Sequence, residues 1–379
     1  TMVEAVAMRT TGLGGDSEVH LKTEGLTGGL RLGPRRLIPV ALLAVQYPDL
    51  VHATLDRALA TETAGEFDGR FVVPMIDHAG GQAGGLTPRE ATVLERITTA
   101  MPLARALTTR LEVAALERLV ARGLVMIAGV TPSDASHTLG RVSAWDAVAS
   151  EKALRLLGRR RNGAGERFAA DPKVLAQGIV DQLTQQTVEC LLEAAFDEDA
   201  SFDGQNAETL ARHPLTTAAF NQHRGIVQMT ARLGVPVIGL GASAPSYYGA
   251  VGARLHCEMI LPEHAGVANA IGAVVGQVSQ RASTIVTSPS AGRFTAHLPQ
   301  GLQNFASRAE ALDATEAAMI AEASARARAA GAEDLRVTTS RQIREADVEG
   351  RPMFIEATIT ATASGRPRIA HAIPDGQSI

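Results

Sequence analysis

The segment TTGLGGDSEVHL, residues 10–21, places Gly12, Gly14 and Gly15 ahead of Asp16 and Ser17. Glycines so spaced let a backbone turn sharply and approach a ligand without Cβ interference. Successive amide N–H groups in such a turn form a concave anion site, to which Ser17 adds a hydroxyl donor. Asp16 could hold a magnesium ion through water while the amides face phosphate. A glycine hairpin with an Asx turn is the competing reading, and taken alone the segment favours it.

Two further segments carry candidate chemistry. In VIGLGASAPSYYG, an apolar strand from Val235 to Leu240 runs into Gly241, Ala242, Ser243 and Ala244, where bulk is absent. A flat ring or sugar could lie against that backbone, and a following helix N-terminus favours phosphate. The dinucleotide GxGxxG spacing is not met, because Ala244 and Pro245 follow in place of the third glycine. A tight strand–helix connection explains the segment equally well. In GVTPSDASHTLG, Thr131, Pro132 and Asp134 stand at the N-cap, first and third positions of a helix, so Asp134 reads as a capping-box acid. His137 shares its face one turn on. As a metal pair, Asp134 and His137 would need further ligands. Asp77 with His78 and Glu263 with His264 are adjacent pairs, which on a strand point opposite ways.

Those segments need elements to position them. Glycine-punctuated strands are expected over residues 1–45. A helix opens at Thr87-Pro88 with Glu90 behind it, another stops at Gly123, and LVMIAGV reads as a short buried strand. Residues 145–232 read as almost wholly helical, with Val180, Leu183, Thr187, Leu191 and Ala195 on one face. Strand–helix order returns at 233–290. There Ala265, Ala268, Gly272 and Gly276 share a helix face, and glycine inside a helix costs roughly 0.5–1 kcal/mol. Close approach of a second helix would offset that cost, at a crossing point between two lobes. Residues 291–379 suggest a small α+β unit. The whole reads as α/β with a helical insertion.

Composition narrows the function classes. The 379 residues carry a net charge of −4 without long charged blocks, which argues against a nucleic-acid partner. The basic run Arg155, Arg159, Arg160 and Arg161 reads as a solvated loop, with a phosphate patch as the alternative. Two distant cysteines, Cys190 and Cys257, fit a reducing cytoplasm. No apolar run reaches the roughly 20 residues of a membrane span. Thr1 could in principle act as an N-terminal nucleophile, but a trimmed sequence explains it.

Taken in order, TTGLGGDSEVHL with LRLGPRRLIP, GVTPSDASHTLG followed by Trp145-Asp146, VPVIGLGASA and PEHAGVANAIGAV resemble the hydantoinase A/5-oxoprolinase family, over most of residues 1–290. The resemblance implies an actin/sugar-kinase/Hsp70-like (ribonuclease H-like) core. It divides the chain into a partial actin-like core (1–144), a helical insertion (145–232), a second core segment (233–290) and a C-terminal α+β unit (291–379). It implies ATP and Mg as cofactors. Gly239, Gly241, Ala242, Ser243 and Ala244 would receive adenosine, and Glu263–Gly276 would form a lobe-connecting helix. Asp16, as the catalytic and metal-holding residue, and Ser17 would face the phosphates. The family's Asp-x-Gly-Gly-Thr loops have no match here, so the chain reads as the C-terminal part of a longer subunit. The implied activity is ATP-dependent opening of a cyclic amide such as hydantoin or 5-oxoproline, usually with a second subunit. A ketone carboxylase subunit and a nucleotide-responsive module without turnover are the alternatives.

Overall fold

The computed structural model describes residues 8–22, 28–75, 84–276, 278–290, 292–348 and 351–367. The candidates Thr1, Asp77 and His78 lie outside them. The chain is mixed α/β with several separate sheets, and it divides into two units, Thr1–Gly266 and Val267–Ile379.

In the first unit, β1 (Ser17–Lys22) and β2 (Gly29–Arg36) pair antiparallel. Next come β3 (Ile38–Pro39), α1 (Val40–Gln46), α2 (Pro48–Ala60), β4 (Phe71–Pro74), α3 (Pro88–Arg96) and β5 (Met101–Pro102). α4 (Leu103–Ala106), α5 (Val113–Ala121) and β6 (Val125–Gly129) complete a four-stranded sheet of order β3-β6-β4-β5, in which only β3 and β6 run parallel. Its residues alternate between two cores. Val72, Val125 and Ile127 pack with α3 and α5, while Phe71, Val73 and Ala128 pack with α1, α2 and α7 (Ala147–Gly158). Burial on both faces explains why these strands read as continuous apolar runs.

The helix starts follow their capping signals. α3 has the Thr87–Glu90 capping box, and α6 (Pro132–Thr138) has the Thr131–Asp134 box. α8 (Pro172–Glu198) is the longest helix among the described residues; α9 (Ala207–Ala211) and α10 (Pro214–Phe220) follow. Ile179 and Leu183 of α8 share one core with Val19 and Leu32 of the first hairpin and Ala135 of α6. Val251 and Leu255 of α11 (Ala244–Leu255) join the same core. Each such aliphatic side chain contributes about 1.5–3 kcal/mol by leaving water. This shared core brings three segments distant in sequence to one place.

β7 (Val237–Ile238) and β8 (Met259–Ile260) form a two-stranded parallel pair. The expected buried strand from Val235 to Leu240 is therefore shorter than the apolar run. Ile238 and Leu240 are 60% and 54% exposed, because only two residues of the run find a partner strand.

In the second unit, α12 (Ala268–Val275) precedes β9 (Val278–Ser290), β10 (Arg293–Leu298), β11 (Gly301–Phe305), α13 (Arg308–Ala329), β12 (Ala332–Val348) and β13 (Arg351–Pro367). The antiparallel sheet has the order β11-β10-β9-β13-β12. α13 covers one face through Ala311, Met319, Ala323 and Ala327, against Val286, Ala357, Ile359 and Ala361. A register shift at Arg344/Glu345 lets Phe354 and Ala357 point to the same core despite their odd spacing. The boundary expected at 290/291 thus moves to 266/267, since β9 is a central strand of the C-terminal sheet. The small-residue helix expected from Glu263 is a 3-10 turn, Ala265–Val267, followed by α12. Among the described residues no helix is long and apolar enough to cross a membrane.

Candidate functional site

A cleft of about 700 Å³ opens in the first unit. One wall is the glycine turn, Thr11 to Asp16, with Arg36 beside it. The start of α6 contributes Ser133, Ser136 and His137, and the turn into α11 contributes Ala242, Ser243 and Ser246. Leu37, Leu42, Met126, Val142, Trp145 and Leu183 supply apolar surface.

The turn is shaped from within. Ser17 is buried, and its hydroxyl accepts the Gly14 N–H at 2.8 Å while its own N–H donates to the Gly14 carbonyl at 3.2 Å. Ser17 therefore closes the turn and does not line the cleft, contrary to its expected phosphate-facing role. Gly15 is where the three segments touch. Its carbonyl accepts the Ser133 N–H at 2.8 Å, and a Cβ there would stand 2.8 Å from Ser133 Oγ and 3.0 Å from Ser243 Cβ. Gly12 lies against Pro34, whose carbonyl oxygen would be 2.7 Å from a Cβ. Close approach, as the sequence suggested, is what these two glycines serve.

Asp16 lies at the cleft with its carboxylate 32% exposed, and Arg36 binds its Oδ2 through Nε and a terminal nitrogen, both at 2.6 Å. These are the charged side chains that line the cleft, and they cancel.

Asp134 does not reach the cleft. It is fully buried, and Oδ2 accepts the N–H groups of Val40 and Thr131 and the Thr131 hydroxyl. Oδ1 accepts the Ala41 N–H at 2.8 Å and the Ser150 hydroxyl at 3.2 Å. One carboxylate thus caps α6 and also the first turn of α1. Burial pushes its carboxyl up, and the N–H and hydroxyl donors pull against that shift. With both oxygens occupied, Asp134 is not a metal ligand.

His137 lines the cleft but is not a ligand either. Nδ1 lies 2.8 Å from the Ser133 carbonyl, which can only accept, and Nε2 accepts the Trp145 N–H at 3.1 Å. These partners fix a neutral ring with its proton on Nδ1 and leave no lone pair free. Trp145 stacks on it, centroids 5.1 Å apart and planes 10° off parallel.

The residues that the resemblance assigned to adenosine divide. Ala242 and Ser243 line the cleft. Gly239 donates its N–H to Ile260 and packs under Leu261, Gly241 donates to the Ala265 carbonyl, and Ala244 is buried as the first residue of α11. Those three shape the turn from behind. Glu263 and His264 are both exposed. Ser133, Ser136, Ser246, Arg36 and Trp145 were assigned no individual role from the sequence, although all but Ser246 stand in the segments that carry the resemblance.

Among the described residues no three His, Cys, Asp or Glu side chains gather as a metal site. A magnesium ion is commonly held by one or two carboxylates plus phosphate oxygens, and Asp16 alone fits that role. Comparison with protein-family models, curated proteins and solved structures gave no match.

Proposed function

We propose that the cleft is a nucleotide site and that the chain acts as a subunit of an ATP-dependent, cytoplasmic enzyme opening cyclic amides, of the hydantoinase A/5-oxoprolinase type with an actin-like core. One observation carries the reading. Segments 11–16, 133–145 and 242–246, which bear the resemblance, line a single cleft although more than a hundred residues separate the first from the second and nearly as many the second from the third. The cleft has the size of a small-molecule site, typically about 300–1,000 Å³. Its apolar walls and serine hydroxyls suit a flat, uncharged base and sugar. Its Asp16–Arg36 side offers one carboxylate for magnesium and one guanidinium for phosphate.

Phosphorylation of an amide carbonyl oxygen would turn it into a leaving group, with magnesium neutralising phosphate charge. This chain's own residues would bind and orient: the Gly12–Gly15 backbone closes over the ligand, Ser133 and Ser243 donate hydroxyls, and Trp145 walls the ring end. The scarcity of titratable groups favours a second reading. His137 has both nitrogens engaged and Asp16 is ion-paired, so a nucleotide-responsive module whose chemistry depends on a partner subunit also fits. A ketone carboxylase subunit would use the same cleft and activation step.

Calorimetry of the chain with a non-hydrolysable ATP analogue and magnesium tests the site. Binding should be saturable, lost in Ala242→Trp, which fills the cleft mouth, and independent of magnesium in Asp16→Ala. Equal affinity in wild type and Ala242→Trp would refute it. Phosphate release stimulated by hydantoin, by 5-oxoproline, or by acetone with bicarbonate separates the enzyme readings; nucleotide binding without release leaves the module.

A further inference from the structure

A second cavity, of about 990 Å³, lies between the turn after α2 and the loop after α7 and shares no residue with the cleft. Arg159, Arg160, Arg161 and Arg167 line it, with Glu62 and Glu66 as its acids. Among the described residues no carboxylate oxygen comes within 4.0 Å of these four guanidiniums, and Glu66 reaches instead toward Arg110 at 3.8 Å.

What holds the arginines is neutral. Arg159 donates to the carbonyls of Ala58, Leu59 and Thr61 and so closes the end of α2. Arg160 donates to the Glu66 carbonyl and Arg161 to that of Gly165. The Asn162 side chain accepts the Ala164 and Glu166 N–H groups at 3.0 and 2.9 Å, fixing the loop on which Arg161 and Arg167 pair as a bridge. Carbonyls orient a guanidinium without forming an ion pair with it. Burial first, and after it the charge of Arg70, draws Arg160 below its ordinary value, while the charges of Asp68 and Glu66 pull the other way.

We propose that this cavity binds a small phosphate-bearing anion, a phosphate monoester or inorganic phosphate. Four arginines against two glutamates leave a formal excess of two positive charges. A phosphate monoester carries about −1.5 to −2 near neutral pH and so balances that excess. The planar guanidinium fork matches phosphate oxygens, and an oriented fork loses less entropy on binding. An overall charge of −4 and a single local cluster, in place of a long basic stripe, argue against a nucleic acid.

The test is calorimetry of the whole chain at low ionic strength with inorganic phosphate and, separately, glycerol 3-phosphate. Saturable binding is expected, weakened roughly tenfold in Arg167→Gln and further in Arg161→Gln/Arg167→Gln. No described contact depends on the Arg167 side chain, so its variant should melt like wild type. Arg155→Gln is the control, since Arg155 pairs with Glu151 at 2.7 Å and does not line the cavity. The tighter of the two ligands identifies the source. Absence of saturable binding, equal weakening by Arg155→Gln and Arg167→Gln, or binding only to an oligonucleotide or to phosphatidic acid vesicles would overturn the proposal.

Discussion

Trp145 donates its backbone N–H to Nε2 of His137 at 3.1 Å, and the two rings stack nearly parallel. The imidazole is thus a strut between the first turn of α6 and the segment leading into α7. His137→Ala removes two hydrogen bonds and the stack, and should destabilise the chain by about 2–4 kcal/mol. Trp145 is the only tryptophan, so its emission reports on the cleft wall directly. Urea unfolding followed by that emission should show a lower midpoint and a red-shifted native spectrum. An unchanged midpoint would mean that the wall stands without the ring.

Gly15 predicts a coupling between three segments. An added methyl would meet Ser133 Oγ and Ser243 Cβ at once, and forcing such an overlap typically costs about 1–3 kcal/mol. Gly15→Ala should be destabilised accordingly. Ser133→Ala in that background removes the nearer atom and should restore part of the loss. A double-mutant cycle by chemical denaturation measures the coupling, and strict additivity would show that the turn simply moves aside.

What the sequence made legible was local chemistry. Thr87 with Glu90 and Thr131 with Asp134 marked helix starts that the structure reproduces as capping boxes, because the cap is written within four residues. Glycine turns were legible as close approaches, but not what approaches them: Ser133 and Ser243 meet Gly15 from more than a hundred residues away. Side-chain direction was also hidden. Ser17 points inward and Asp134 serves a second helix, and neither fact has a trace in residue spacing. The run from Val235 to Leu240 reads as a buried strand, yet burial depends on which partner strand is present. The arginine-lined cavity needed the turn after α2, which lies about a hundred residues before its basic loop.

Asp134 ties α1 to α6 through its single carboxylate. Asp134→Ala leaves the N–H groups of Val40, Ala41 and Thr131 and the hydroxyls of Thr131 and Ser150 without this acceptor in a buried place. A buried unsatisfied donor costs about 1–3 kcal/mol, so a loss of at least ~3 kcal/mol is expected. Asp134→Asn retains one acceptor oxygen and should lose less. Guanidinium unfolding of the two variants checks the order. A fully stable Asp134→Ala would show that water or backbone movement satisfies those donors.

Glu112 should give the protein part of its acid sensitivity. It receives Arg96 through both terminal nitrogens at 3.1 Å, along with the N–H and hydroxyl of Thr108 and the N–H of Thr109. Arg96 first, and these donors after it, hold its carboxyl down at about 2 against an ordinary value of 4.5. A carboxylate depressed on folding stabilises fully above its unfolded value and loses that contribution as pH falls through the folded one. Wild type should therefore exceed Glu112→Gln in stability above pH 4.5, and the gap should close as pH falls toward 2. Urea midpoints of both proteins across that range make the comparison. A gap independent of pH would assign the loss to packing alone and remove the Arg96–Glu112 charge pair from the account.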